Sequence, residues 1–182
     1  MDFEFDEFFW IAEETFPVWA GFSTSEEQFG EIDPKKRALG TVQVLFAPEG
    51  RGEQSLDQNE LALIKAFEDF HVEQAQAVLN GLFHGYPKIC QEFEYAINGD
   101  PHWPKPPSIN HKDDLCSIIQ LHTIHIHQIE RSGSPYVGYD FYCDWEEEHG
   151  LGVLMYKDRV VEIGDADSAS TLCIVERDAG QN

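Results

Sequence analysis

Basic side chains are scarce in this sequence: 12 Lys and Arg stand against 34 Asp and Glu, a formal net charge of −22 over 182 residues. A field of that sign repels phosphate backbones and anionic lipid, which argues against direct binding to nucleic acid or a membrane surface. Long apolar runs are missing too. No stretch approaches the ~18 consecutive apolar residues of a membrane span. The start, Met1-Asp2-Phe3-Glu4-Phe5-Asp6, has neither the basic nor the apolar segment of an export leader. Cys90, Cys116, Cys143 and Cys173 are far apart and form no C-x-x-C pair, so they read as buried free thiols rather than a disulfide framework. The expectation is a cytoplasmic protein. There is no internal repeat, Gly-rich phosphate loop, G-x-S-x-G elbow or H-E-x-x-H helix. The chain therefore carries no familiar catalytic set and calls for no cofactor.

What is present is apolar surface. Thirteen Phe, six Tyr and four Trp sit in a chain that is 42% hydrophobic, enough to offset chain entropy despite the charge. Length and composition fit one domain over residues 1–182. Residues 1–17 form an acidic and aromatic segment in which Phe5, Phe8, Phe9 and Ala12 fit one helical face, and a helix stopped by Pro17 is expected. Val18–Phe22 and Gly40–Phe46 read as strands. A helix is expected from near Ser55, where Ser55-x-x-Gln58 and Asp57-x-x-Glu60 both fit a capping box. Its apolar face is Leu61, Ile64, Phe67, His71, Ala75, Val78, Leu79 and Leu82, and Gly81, Gly85 and Tyr86-Pro87 end it. Residues 98–114 hold four prolines and form a long loop. From Ile118 an antiparallel meander is expected: strands over Ile118–Ile129 and Tyr136–Trp145, then a Leu151–Tyr156/Arg159–Ile163 hairpin around Lys157-Asp158, with Leu172–Val175 as a last strand. The fold class is α+β, a curved antiparallel sheet against one long helix or helix pair.

Three constellations carry potential chemistry. His125 and His127 fall on one strand face and His122 on the other, and an H-x-H pair can chelate a metal through imidazole nitrogens. Glu130, or His149, completes the candidate metal set of His125 and His127. Period-two alternation explains the same pattern without a metal, with Ile124 and Ile126 pointing to the core. The second is Asp144-Trp145-Glu146-Glu147-Glu148-His149-Gly150-Leu151-Gly152. Its carboxylates lack the alternate spacing of a calcium loop, and adjacent Glu148 and His149 diverge. Trp145 supplies burial, and Gly150 and Gly152 permit unusual torsions. The third, Asp165-Ala166-Asp167-Ser168, fits an Asx turn better than a Mg²⁺ site.

The run Phe141-x-Cys143-x-Trp145-Glu146-x-Glu148-His149-Gly150-Leu151-Gly152-Val153, followed by Val160-Val161-x-Ile163-Gly164, resembles a group of small bacterial proteins. That group carries a W-(D/E)-x-E-H-G-L-G signature ahead of a hairpin. Its members are mostly of unknown function, and some resemble immunity proteins encoded beside polymorphic toxins. The likeness covers residues 118–165, is looser over 56–86 and is absent over 1–17 and 98–114. Glu146 stands where Asp is commoner. No catalytic residue is carried over. The resemblance implies a stoichiometric inhibitor of a cognate basic toxin domain, and the acidic charge agrees. The expected partner surface is Asp144, Glu146, Glu147, Glu148 and His149, extended by Asp165, Asp167 and the aromatic anchor Trp103, with Trp10 as a second anchor.

Overall fold

The computed structural model describes residues 1–24, 33–48, 53–96, 105–143, 145–146 and 149–180. Seven strands form one open sheet: β1 (Glu4–Asp6), β2 (Phe9–Thr15), β5 (Thr41–Phe46), β6 (Ile119–Arg131), β7 (Ser134–Cys143), β8 (Leu151–Tyr156) and β9 (Arg159–Gly164), adjacent in that order. A short antiparallel pair, β3 (Ser23–Thr24) and β4 (Asp33–Arg37), stands apart. All neighbours in the main sheet are antiparallel except β5 and β6, which run parallel because the long helix α1 (Gln58–Ala96) connects them. The α+β expectation holds, with this one parallel joint in the sheet.

Alternation along the strands divides the sheet into two unlike faces. On one, Ala12, Val44, Ile124, Tyr139, Val153 and Ile163 occupy a single cross-strand row from β2 to β9. The neighbouring row is Trp10, Phe46, Ile126, Val137 and Met155. Apart from the half-buried Trp10 and Ile163 these side chains are buried, and Ile64, Phe67, Ala75, Val78, Leu79 and Leu82 of α1 close over them. Trp19 fills the corner, its ring 5.4–5.9 Å from those of Phe22, Tyr139 and Phe141. The second face carries the 3-10 turn Ala166–Ala169 and a short helix, α2 (Leu172–Ala179), over β6 to β9. Val175 of α2 packs there on Ile129, Tyr136 and Leu154. Arg159 makes a two-pronged ion pair with Asp178, which also accepts from the Tyr136 hydroxyl at 2.8 Å.

Several sequence expectations are corrected. Residues 4–15 form the β1–β2 hairpin, not a helix; a period-two pattern in the same segment prevails because Trp10 and Ala12 find partners across β5. Val18–Phe22 is not a strand but begins as a 3-10 turn at Pro17–Trp19. Leu172–Val175 is helical, its exposed and buried positions set by contact with the sheet face rather than by strand pairing. The main helix does not end at Gly81 or Gly85. It runs through both and through Pro87 for 39 residues, roughly 58 Å at 1.5 Å per residue. A Cβ on Gly81 would overlap Val160, and one on Gly85 would lie 3.2 Å from Ile163. These glycines let the helix approach β9 closely. At its start Asp57 and Glu60 make the expected capping box, with Asp57 N donating to Glu60 Oε2 at 2.7 Å and Glu60 N to Asp57 Oδ1 at 3.0 Å. Leu61, expected on the buried face, is exposed.

One polar device crosses the core. The fully buried Tyr139 hydroxyl donates to Gln74 Oε1 at 2.9 Å, and Gln74 Nε2 donates to the Lys157 carbonyl at 2.8 Å in the β8–β9 turn. Desolvation raises the Tyr139 pKa, so the phenol remains a donor. No helix among the described residues is long and apolar enough to cross a membrane.

Candidate functional site

The signature segment links β7 to its neighbour β8. Trp145 is buried and meets the Tyr86 ring edge to face at 5.7 Å, while the Tyr86 hydroxyl donates to Pro107 O at 2.7 Å. Burial pushes the Tyr86 pKa up, which keeps that donor in place. After Trp145 the chain turns on its own bonds. Gly150 N donates to Glu146 O at 3.1 Å, and the buried Cys143 thiol reaches the same carbonyl at 3.6 Å. Gly150 has φ +62°, and a Cβ there would sit 2.8 Å from Phe141 O. Glycine is therefore required at this position on two counts.

The glycines of the motif have a second purpose. On the face opposite α1, Gly152 pairs with Gly164 and Gly138 with Leu154, giving a shallow floor across β7, β8 and β9. A Cβ on Gly138 would collide with Ala169 O, one on Gly152 with Asp165 O and one on Gly164 with Ser168 Oγ. The backbone of 165–169 thus lies directly on the strands. Ala166 N donates to His149 O at 2.8 Å, tying this segment to the signature turn. Asp165 Oδ1 accepts from Ser168 N at 3.3 Å and Ser168 Oγ at 3.1 Å, an N-cap of the 3-10 turn in place of the expected Asx turn.

These constraints bring Glu146, His149 and Asp165 to one cleft of about 420 Å³, with Trp145 in its wall. Glu146 Oε1 accepts from His149 Nδ1 at 3.1 Å and from His149 N at 3.3 Å. The pair that converges is thus three residues apart, where the adjacent Glu148–His149 pair was weighed. The opposite wall is Ile89, Glu92 and Phe93 of α1, which sequence reasoning missed because it ended the helix too early. Ile163 and Leu151 add apolar floor. The result is an open, apolar-floored groove whose rim carries three carboxylates and one imidazole. Asp167 does not line this cleft, and Asp144, Glu147, Glu148 and Trp103 lie outside the described residues. Trp10 is half-buried against the core beside Phe5, so it is not a free anchor.

The three strand histidines are arranged differently from the expectation. A bulge at Leu121/Thr123 inserts one residue, which places His122 on the same face as Thr123 and His125 instead of the opposite one. There its ring lies 4.4 Å from that of Tyr142, with 3.2 Å between His122 Nε2 and the Tyr142 hydroxyl. His127 Nε2 bonds Ala169 O at 2.9 Å, and Glu130 accepts from Gly133 N at 2.5 Å to close the β6–β7 turn. His149 lines a different cleft from His125 and His127. Among the described residues no three His, Cys, Asp or Glu side chains form a metal-holding group. Burial depresses the pKa of all three strand histidines, His125 to about 4 with help from its two neighbours. Asp140, beside Thr123 and Gly152 and under the 165–169 segment, is shifted oppositely. Desolvation and the Asp167 charge push it up to about 6.

The chain belongs to the family described as a domain of unknown function (DUF6985), whose model matches residues 13–170. No curated protein and no solved structure gives a match.

Proposed function

We propose that this member of the family is a non-catalytic acidic binding protein, an immunity protein that neutralises a cognate bacterial toxin in the cytoplasm by covering a basic active surface. The observation that carries the reading is the groove at the signature turn. Its apolar lining (Ile89 and Phe93 in the wall, Ile163 in the floor) suits the stem of a long basic side chain, and Glu92, Glu146 and Asp165 suit the cationic head. The net charge of −22 would speed encounter with such a partner, most of all at low salt. The signature resemblance supports the same reading.

The test is co-expression. The toxic C-terminal domain of a modular secreted protein encoded next to this chain should stop growth, and this chain should restore it. Glu92→Lys combined with Glu146→Lys should weaken the purified complex by at least about tenfold, equivalent to ~1.4 kcal/mol, and raised salt should weaken it further. Absence of such a neighbour, or a complex indifferent to both salt and charge reversal, would sink the proposal.

A further inference from the structure

The second face of the sheet is only half covered. Residues 165–180 lie over β6 to β9, whereas β2 and β5 carry Phe9, Ile11 and Leu45 on the same face toward the margin of this cover, Phe9 exposed and Ile11 and Leu45 half-buried. Phe8 at the hairpin turn is 75% exposed and Phe9 40%. Their rings meet at 6.5 Å, edge to face. The turn is held by Glu7 at φ +49° and by Phe8 N donating to Asp6 O at 2.5 Å, so the two rings are displayed on a hairpin rather than a loose tail. Beside them runs a second cleft of about 360 Å³, bounded by Phe9, Leu45, His125 and Leu172. Other exposed apolar side chains, such as Leu61 and Val72, stand singly.

The surrounding charge decides what can sit there. By register Glu4, Asp6 and Glu13 share this outer face with Phe9 and Ile11, and Glu7 is at the turn. Residues 1–24 contain no Lys or Arg. Two neighbouring phenylalanines at a hairpin tip would suit a bilayer, but carboxylates flanking them repel anionic lipid. A second copy would bring the same carboxylates against themselves in a symmetric contact. We propose that this face docks a cationic amphipathic segment of a partner protein, with Lys or Arg interspersed among large aliphatic residues. Its aliphatic side chains cover Phe8, Phe9 and Leu45, and its cations meet Glu4, Asp6 and Glu13. The hairpin tip with Phe8 and Phe9 lies before residue 13, where the family match begins, while Glu13 and Leu45 fall inside it. The proposal does not rest on the toxin reading, and it uses a different face from the signature groove.

The test uses the full chain and three labelled nine-residue peptides: alternating Lys–Val, alternating Lys–Ser and alternating Glu–Val. Anisotropy should show the Lys–Val peptide binding at least about tenfold more tightly than either control. Amide shifts should centre on residues 4–13, 43–47 and 125–128. Phe8→Ser with Phe9→Ser should abolish the preference over Lys–Ser, and Glu4→Lys with Asp6→Lys should abolish binding, each with an unchanged urea midpoint. Equal binding of Lys–Ser, shifts centred on Glu92 and Glu146, or binding to phosphatidylserine vesicles would each overturn the proposal. So would a sedimenting dimer that Phe8→Ser dissolves, since it would assign the face to a second copy.

Discussion

The two halves of the sheet's second face solve opposite problems with opposite residues. Over β7, β8 and β9 the strands offer Gly138, Gly152 and Gly164, and a backbone segment settles directly on them. Over β1, β2 and β5 they keep Phe9, Ile11 and Leu45, the first exposed and the others half-buried, with carboxylates alongside. Removing side chains seals one half by close backbone contact. Keeping large ones leaves the other half open for something outside the fold. Removing a Cβ is thus a packing device at one place, and retaining an aromatic ring is a display device at the other.

The largest test of that contrast is Gly138→Ala. Its Cβ would displace the Ala169 carbonyl and with it the His127 hydrogen bond, so a loss of about 4 kcal/mol or more is expected in urea unfolding. A loss below about 1 kcal/mol would show that the 165–169 segment lifts off freely and that the two halves differ little. Asp140→Asn comes next. The folded carboxyl keeps its proton up to about pH 6, whereas the unfolded one loses it near its ordinary value of 3.8. Stability from this group therefore falls as pH rises from about 4 to 6, and the full penalty persists above. The amide should stabilise the protein by about 2 kcal/mol at pH 7.5 and by almost nothing at pH 4.

The histidines run the other way. His125 charges near pH 4 when folded and near 6.5 when unfolded, so its contribution is lost as pH falls through that interval. The Asp140→Asn protein should show this slope unmasked, as a melting temperature that drops steadily from pH 6.5 to 4; a flat profile there would contradict burial of the neutral imidazoles. Asp165→Ala removes the N-cap of the 3-10 turn and should cost about 1 kcal/mol. Phe8→Ser, on the open half, should change stability by no more than about 0.5 kcal/mol. A clear destabilisation would mean that the hairpin ring belongs to the fold and is not displayed.

The β6–β9 meander was legible in the sequence because alternation and turn chemistry agree there. Ser132 and Gly133 both take positive φ, as a tight two-residue hairpin turn requires, and Lys157 does so in the next one. The N-terminal hairpin was not, because Phe3–Ala12 satisfies two periods at once and only the partner strand Thr41–Phe46 chooses between them. Gly81 and Gly85 misled because a glycine that ends a helix and one that admits a neighbouring valine look alike in one dimension. That error hid Glu92 and Phe93, and so one wall of the groove. His122 was assigned to the wrong face because a bulge is set by pairing, and nothing in Leu121-His122-Thr123 announces it. Within the signature, burial of Trp145 and the torsional demand on Gly150 were readable. The Glu146–His149 pairing depended on how the turn folds back.

The Gln74 bridge has a consequence for how the molecule opens. Its amide holds a phenol in the middle of the sheet with one hand and the β8–β9 turn with the other, at a point some sixteen residues into α1. The helix cannot swing away from that end without stranding Tyr139 in a dry environment, so α1 and β7–β9 should exchange their amide protons as one cooperative unit. Strands β1 and β2 form the sheet's other margin, where the Met1 ammonium ties Glu14 of β2 to Glu68 of α1 and leaves the Glu7–Phe8 tip outside that anchor. Fraying should begin there, leaving the glycine-floored end as the last part to come apart.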